Sequence, residues 1–361
     1  TERPAVVALD AQSVELLRLG ELALRQGTTR AAAEAIDHFR ALCERPGAQP
    51  AHWGLLALAC ALRRGFDVEQ EVDPLGELTR TAAARALAGD PRNADAAVAL
   101  VMLQPLFRGW HEMERACRAM LQQHPRHWVL LNTLARVHAE TGRWSAAIPL
   151  IERALEAEPM LPAVSARRAF ALWCAGRVDD AASAFDDGLQ RWPRHPVLWH
   201  RALNFRLCSG RIDEAAAQLT DERQRSYDEN GLPREIALLA VQALAQPARV
   251  ALSEELAGAI ARARAGGSMS SQWAVPLLAT IGRVDQAFDL ARVYYFGGAV
   301  GARLQPPPSR LAMRPTELLF TPETAVLRAD TRFGALTAEL GLDAFWRMAG
   351  TEPDHRRRSA G

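Results

Sequence analysis

The chain of 361 residues contains no lysine, so all 43 of its basic residues are arginine. They nearly balance the 42 acidic residues, and the formal net charge is +1. A charge so close to zero gives no reason to expect nucleic acid or an anionic membrane as the main partner. The exclusive use of arginine, together with abundant alanine, is typical of a GC-rich bacterial genome rather than of one function.

Long apolar runs are absent as well. The best run, Ala94–Phe107, is interrupted by Gln104 and Pro105, and it is shorter than the roughly 18 residues that indicate a membrane-spanning helix. The first four residues, Thr1–Pro4, have neither the apolar core of a signal peptide nor an initiator methionine. We expect either that the methionine is removed or that the chain is a fragment of a longer protein.

The motifs of metal binding and catalysis are missing too. The five cysteines form no CxxC pair, and Cys174 and Cys208 are expected at equivalent positions of neighbouring helices, as small buried hydrophobes rather than as a disulfide. His111-Glu112 has no second histidine to complete a zinc-binding HExxH helix. Neither GxSxG nor a phosphate-loop glycine pattern occurs. We therefore predict no catalytic residue, no metal and no cofactor.

What the sequence does contain is a repeat. Three residue types recur with one shared period of 34 residues and at fixed offsets from each other. They are glycine at Gly142, Gly176 and Gly210, alanine at Ala147, Ala181 and Ala215, and proline at Pro91, Pro125, Pro159 and Pro193. The glycine turn returns as Gly282-Arg283-Val284-Asp285. In its period and landmarks the chain resembles the tetratricopeptide family, whose repeat is a helix–turn–helix of about 34 residues.

The resemblance covers about residues 13–297 and implies an all-α fold, a right-handed α-α superhelical solenoid of about eight helical hairpins with a short helical C-terminal cap. The second hairpin carries an insertion near Phe66–Gly76, and the seventh lacks the turn glycine. For residues 298–361 we predict a proline-rich linker around Pro306–Pro308, short helices that cap the last hairpin, and a solvated tail at Arg356–Arg358. The expected hairpins span about residues 13–46, 50–91, 94–125, 128–159, 162–193, 196–227, 230–267 and 268–297.

A narrower set of residues is similar to one bacterial group, the repeat region of membrane-anchored winged-helix transcription regulators and of some adenylate cyclases. The set comprises the insertion in the second repeat, Gly109-Trp110 before an acidic helix start, and Leu327–Phe333 followed by Gly341-Leu342. Thr331 departs from this group, which usually has proline there. The resemblance implies a regulatory or sensory module, periplasmic in a membrane-anchored regulator and cytoplasmic in a free-standing protein.

In a stack of hairpins the first helices line the concave surface, and residues on one face of these helices point into it. In repeats four to six these residues and their neighbours form an aromatic floor with arginine and amide edges. They are Asn132, Arg136, Arg167, Phe170, Trp173, His200, Arg201 and Asn204. This groove suits a protein or an extended peptide with acidic groups or a free carboxylate, and Trp173 is the expected anchor.

The sequence thus predicts a non-catalytic scaffold that binds a protein or peptide. Two alternatives stay open: a non-catalytic accessory region of an enzyme, and a structural module that associates with itself into a homo-oligomer. The groove residues also have a plain interpretation. Arginine is the only cation other than histidine, so any exposed face will carry it, and Trp173 could simply pack beneath the next hairpin.

Overall fold

Sixteen α-helices in eight consecutive hairpins make up most of the described part of the chain. The computed structural model describes residues 10–65, 73–222, 226, 231–300, 303–305 and 314–358. The first four hairpins consist of α1 (Ala11–Gln26) and α2 (Thr29–Cys43), α3 (Pro50–Arg64) and α4 (Pro74–Gly89), α5 (Ala94–Val101) and α6 (Trp110–Gln123), and α7 (Trp128–Glu140) and α8 (Trp144–Ala157). The next four consist of α9 (Pro162–Cys174) and α10 (Val178–Arg191), α11 (Pro196–Cys208) and α12 (Ile212–Thr220), α13 (Arg234–Ala245) and α14 (Val250–Gly266), and α15 (Ser271–Thr280) and α16 (Val284–Phe296).

The repeated glycine ends the first helix of a hairpin. The amide of the arginine that follows it donates to the carbonyl five residues earlier, at 2.8–3.0 Å, which satisfies carbonyls that the helix end leaves without partners. This closure needs a left-handed backbone, which costs a residue with a Cβ atom about 1–2 kcal/mol. The four glycines concerned are Gly142 (φ 75°), Gly176 (φ 87°), Gly210 (φ 79°) and Gly282 (φ 74°).

The third hairpin departs from this rule. Arg108 stands one repeat period before Gly142, at the position where the fourth, fifth, sixth and eighth hairpins have glycine. Its φ is 63°, whereas Gly109 has a negative φ. The guanidinium group of Arg108 lies 5.5 Å from the ring of Phe107 and donates from Nη2 to the carbonyl of Glu339 at 3.0 Å. These contacts offset the backbone strain of the turn.

The repeated alanine makes close stacking possible. Ala147, Ala181, Ala215 and Ala287 each lie five residues after a turn glycine, and all four are fully buried. A methyl side chain lets the second helix of a hairpin approach its neighbours closely. Larger side chains fill the space between hairpins, and Trp110 and Trp144 are among the most buried of them.

Four of the five cysteines are buried, and none of the five forms a disulfide. Cys43, Cys60, Cys117 and Cys174 are the buried ones, whereas Cys208, which the sequence also predicts as buried, is partly exposed. Burial raises the pKa of the Cys43 thiol to about 12, so this thiol stays protonated at neutral pH. The cysteines therefore serve as small apolar side chains in the core.

The insertion of the second hairpin lies mostly at residues 66–72, outside the described part of the chain. It ends at Asp73, whose side chain caps α4 by accepting a hydrogen bond from the amide of Gly76. Asp73 also forms an ion pair with Arg64 at the end of α3, with 2.8 Å between Oδ2 and Nε. This pair joins the two ends of the insertion.

The row of hairpins curves so strongly that its beginning contacts its middle. Nε of Arg25, near the end of α1, lies 2.8 Å from Oε2 of Glu158, which follows α8. Nε2 of His195, just before α11, donates to the carbonyl of Gln26 at 2.8 Å. A Cβ atom on Gly27 would lie only 2.7 Å from that of Ala163. The turn between α1 and α2 therefore closes one side of the superhelix.

After α16 the repeat ends and the chain forms shorter elements. Strands β1 (Gly298–Val300) and β2 (Arg303–Gln305) pair in an antiparallel hairpin. The predicted linker at Pro306–Pro308 lies outside the described residues. Residues 314–358 then contain two 3-10 helices, Glu317–Phe320 and Pro322–Thr324, and four α-helices, α17 (Ala325–Arg328), α18 (Arg332–Leu340), α19 (Leu342–Ala349) and α20 (Asp354–Arg358).

These C-terminal helices contact the last hairpin, as the sequence predicts. Nη1 of Arg292 in α16 lies 2.9 Å from Oε2 of Glu339 in α18. The guanidinium group of Arg332 lies 4.4 Å from the centre of the Phe288 ring. The basic tail is less free than predicted, because the guanidinium group of Arg356 lies 4.4 Å over the ring of Trp346.

The same helices also reach the third and fourth hairpins, which the sequence does not predict. Nε1 of Trp346 donates to the carbonyl of Thr141 at 3.0 Å. The ring of Phe345 meets the ring of Trp110 edge-on, with 6.3 Å between centroids. The amide of Asp354 donates to the carbonyl of Gly142 at 2.9 Å. The C-terminal segment thus crosses from the last hairpin to the middle of the solenoid.

Candidate binding cavity on the concave side

The concave side of the solenoid forms a cavity of about 710 Å³ that is partly open to solvent. First helices of several hairpins line it, together with the turn after α1. A third contribution comes from the C-terminal segment, from Pro315 to Glu323. Seven of the eight residues predicted for the groove line this cavity, namely Asn132, Arg136, Arg167, Phe170, His200, Arg201 and Asn204.

Trp173 is the exception. Its side chain is 3% exposed and lies behind the cavity wall. The ring meets Phe170 edge-on at 5.4 Å and Phe205 edge-on at 5.5 Å, measured between centroids. In this structure Trp173 is therefore part of the core between the fifth and sixth hairpins. An occupant of the cavity would meet Phe170 instead, as the plainer interpretation of Trp173 implies.

Three arginines meet on one wall of the cavity. Nη2 of Arg201 lies 2.8 Å from Oε1 of Glu317, and Nη1 of Arg167 lies 3.5 Å from Oε2 of the same carboxylate. Arg167 also donates from Nε to Oδ1 of Asn132 at 3.1 Å. Arg136 contacts Oε1 of Glu140 through Nη2 at 3.3 Å. The chain's own Glu317 therefore occupies a carboxylate position on this wall.

Burial and neighbouring charges set the ionisation of the acids on this wall. Burial alone would raise the pKa of Glu317, but the charges of Arg201 and Arg167 outweigh it and hold the pKa below its usual range. For Glu140, burial prevails over Arg136 and raises the pKa. Burial also lowers the pKa of Arg167, although a guanidinium group stays charged at neutral pH. The wall thus carries three cations and one firmly ionised acid.

A second acid lies further along the cavity. Oε1 of Glu323 accepts a hydrogen bond from Nδ2 of Asn204 at 3.1 Å. Burial raises the pKa of this carboxyl group. Asn204, which is a poor residue for the middle of a helix, thus has a structural role that explains its position. It links α11 to the C-terminal segment.

The backbone of the C-terminal segment is held as firmly as its side chains. Nε1 of Trp144 donates to the carbonyl of Phe320 at 3.1 Å, and the hydroxyl group of Thr316 donates to the carbonyl of Glu140. Leu319 is fully buried and Phe320 is 5% exposed. Burying two such side chains stabilises the segment by about 1.5–3 kcal/mol each. The segment is therefore a fixed wall of the cavity, and the open groove expected from the sequence does not exist in this structure.

Sequence reasoning missed the acids of the site, Glu140, Glu317 and Glu323. One signal for a shared partner was present: Arg167 and Arg201 lie one period apart, so their side chains come from equivalent positions of adjacent helices. No comparable signal identifies Glu317, because it lies beyond the last repeat. Trp128 and Trp273 also line the cavity and were not among the predicted residues.

The period of the sequence coincides with the stacked helical hairpins, the left-handed turn glycines and the buried alanines. This combination of period and geometry characterises one repeat architecture. The chain has a tetratricopeptide-type fold. Among its described residues, no helix is long and apolar enough to cross a membrane.

Comparison with known proteins gives structural likeness only. No family model and no curated protein matches the chain. A tetratricopeptide repeat protein from Parabacteroides merdae is 15% identical over 70% of this chain and 92% of its own, with a TM-score of 0.38. Yeast Tom70 is 13% identical over 96% of this chain and 70% of its own, with a TM-score of 0.42. A chain of the Naa15/Naa10 complex bound to HypK-THB is 14% identical over 78% of this chain and 41% of its own, with a TM-score of 0.31.

Proposed function

We propose that this tetratricopeptide-type chain is a non-catalytic binding scaffold for a protein or peptide that presents a carboxylate to the central cavity. The observation that carries the proposal is the pair of contacts that Arg201 and Arg167 make with the carboxylate of Glu317. It places two guanidinium groups where they hold one carboxylate, and Arg136 lies on the same wall. Arginine is well suited to this task because its planar fork matches the geometry of a carboxylate.

Arg136 has N–H donors left with which it can bind a second carboxylate. Its side chain is 24% exposed, and its described hydrogen bond to Glu140 uses one of five N–H donors. The Glu140 carboxyl group also accepts a hydrogen bond from Nε1 of Trp110 at 3.1 Å, so Glu140 does not depend on Arg136 alone. A partner's carboxylate can therefore bind Arg136 while Glu317 stays in place.

In the cell this scaffold would act as a regulatory or sensory module in a bacterium. The support is the narrower similarity in sequence to the repeat region of membrane-anchored regulators. Self-association is the second candidate, and light scattering over a range of concentrations separates it from binding of a different protein. A mass that rises with concentration favours self-association.

Fluorescence anisotropy with labelled hexapeptides tests the proposal. One pool carries free carboxyl termini and aspartate or glutamate side chains, and the matched pool carries amidated termini and asparagine or glutamine. We expect saturable binding of the acidic pool to the full chain and at least tenfold weaker binding to Arg136→Gln. Arg168→Gln is the matched control, because Arg168 lies next to Arg167 on α9 but contacts Glu152 at 3.5 Å instead of the cavity.

Two results would contradict the proposal. Equal binding of the acidic and the neutral pool would show that no carboxylate is recognised. An equal loss of affinity in Arg136→Gln and Arg168→Gln would show that general charge, and not the cavity wall, attracts the peptide. Circular dichroism of each variant confirms that the helices remain.

A further inference from the structure

We propose that the central cavity is also the site of a free small organic acid, an aryl or alkyl carboxylate, which enters without displacing the C-terminal segment. This inference rests on the proposed function in one respect, since both place a carboxylate on the arginine wall. It goes further in naming a ligand small enough to bind within the cavity.

The three arginines carry more N–H donors than their described hydrogen bonds use. Each guanidinium group carries five N–H donors. The described hydrogen bonds use one donor of Arg136, two of Arg167 and one of Arg201. The three side chains are 24%, 16% and 21% exposed, and all three line the cavity. The wall therefore offers more donors than its own acids accept, which favours an anion.

The cavity also has an apolar surface beside the arginine wall. Apolar and aromatic side chains line the rest of the cavity, among them Leu62, Met102, Trp128, Phe170, Val197 and Trp273. Water against such a surface is displaced favourably by an apolar group. An inorganic anion would satisfy the arginines but leave this surface wet. A carboxylate with an aromatic or aliphatic body matches both surfaces at once.

The cavity has the size of a small-molecule site and two fixed walls. A volume of about 710 Å³ lies within the range of roughly 300–1,000 Å³ that is usual for small-molecule sites. The first hairpin closes one side through Arg25–Glu158 and His195–Gln26. The C-terminal segment closes another through Glu317 and Glu323. A compact molecule can therefore bind between these two walls without moving either of them.

Isothermal titration calorimetry of the full chain tests the inference with phenylacetate, 3-phenylpropionate and hexanoate. The matched neutral probe is phenylacetamide, and inorganic phosphate serves as the purely anionic probe. We expect saturable binding of one acid per chain. Phenylacetamide and phosphate are each expected to bind at least tenfold more weakly, because each satisfies only one of the two surfaces.

Two variants locate the binding. Arg136→Gln removes a cation from the wall and is expected to weaken acid binding at least tenfold. Val197→Trp fills part of the apolar space, leaves all three arginines unchanged and is expected to weaken 3-phenylpropionate at least tenfold. Val197 is partly exposed in the structure, so the larger side chain projects into the cavity instead of the core. Arg168→Gln, the control that removes a contact to Glu152 outside the cavity, is expected to bind within twofold of the unmodified chain.

Three outcomes would overturn the inference. If none of the acids binds, the inference is wrong. If both Arg136→Gln and Val197→Trp bind the acid as tightly as the unmodified chain does, the site lies elsewhere. Phosphate binding as tightly as phenylacetate would reduce the cavity to a simple anion site. Peptide binding without acid binding would leave the proposed function standing and defeat only this inference, whereas failure of both ligands would defeat both proposals.

Discussion

Oε1 of Glu317 lies 2.8 Å from Nη2 of Arg201, although 116 residues separate them in the chain. The contact joins a segment beyond the last repeat to the first helix of the sixth hairpin. Together with Arg167–Glu317 and Asn204–Glu323 it narrows the concave side of the solenoid to a partly open cavity.

Glu317→Gln should destabilise the chain by about 3 kcal/mol, because two largely buried arginines lose their counter-charge. Urea denaturation followed by circular dichroism measures the free energy of unfolding. Glu339→Gln is the matched control, since Glu339 also links the C-terminal segment to the solenoid through Arg292, but both side chains are about half exposed. It should cost less than about 1 kcal/mol. Equal losses would mean that the buried position of Glu317 has no special importance.

Gly142→Ala should cost about 1–3 kcal/mol more than Gly210→Ala, because only the first substitution overpacks the core. Both glycines have a left-handed backbone, so both substitutions carry the same conformational cost. A Cβ atom at residue 142 would lie 2.8 Å from Cδ1 of Phe320 and 2.9 Å from Cβ of Pro353, whereas nothing lies within 4 Å of one at residue 210. The difference between the two variants therefore isolates packing against the C-terminal segment. Identical melting temperatures would contradict this packing.

Stability should fall as the pH is lowered from 6.5 towards 4, and His355 should contribute to the fall. Burial, reinforced by Arg328 and Arg356, lowers the pKa of His355 from 6.5 to about 4. The unfolded chain therefore binds a proton at a higher pH than the folded chain does. The stabilising effect of the neutral ring is complete above pH 6.5 and is lost between pH 6.5 and 4.

His355→Phe checks this pH dependence. The imidazole ring stacks on Phe320 with 5.9 Å between centroids, so phenylalanine keeps the aromatic contact and removes the titration. The loss of unfolding free energy between pH 7 and pH 5 should be smaller in the variant than in the unmodified chain. A parallel decline in both proteins would assign the pH dependence to other groups, such as the buried His195.

Trp173→Ala should cost about 3–5 kcal/mol of stability, as is usual when a buried tryptophan is truncated. The sequence alone suggested a binding anchor whose loss leaves the fold intact, but the ring lies between Phe170 and Phe205. Thermal denaturation measures the effect. Trp53→Ala, at a partly exposed ring beneath the Arg85 guanidinium group, should cost less. A Trp173→Ala chain with unchanged melting temperature would return Trp173 to the list of candidate anchors.

The repeats could be predicted from the sequence because their landmarks act locally. A left-handed turn favours glycine wherever it occurs, so Gly142 and Gly282 mark equivalent turns although they belong to the fourth and the eighth hairpins. The face of each first helix follows from the helical period. Arg136, Arg167 and Arg201 follow this period, and all three line the cavity. Arg108 escaped the pattern, because an arginine gives no sign in the sequence of a left-handed backbone.

The closure of the cavity could not be predicted, because it depends on contacts outside the period. The apolar faces of α18 and α19 predict that these helices pack on something, but nothing in Phe345 or Trp346 specifies the third and fourth hairpins as the surface. The burial of Trp173 was equally hidden. A tryptophan on a first helix can point into the groove or towards the next hairpin, and the choice depends on how strongly the solenoid curves.

The curvature that brings Arg25 to Glu158 also has a mechanical consequence. A straight array of repeats can lose its end units one after another, since each unit contacts only the next. Here the first unit is held to the middle of the array by the ion pair of Arg25 and by the hydrogen bond from His195 to Gln26. Fraying from that end must break these bonds first. We therefore expect the molecule to resist a stretching force that would lengthen an array without these contacts.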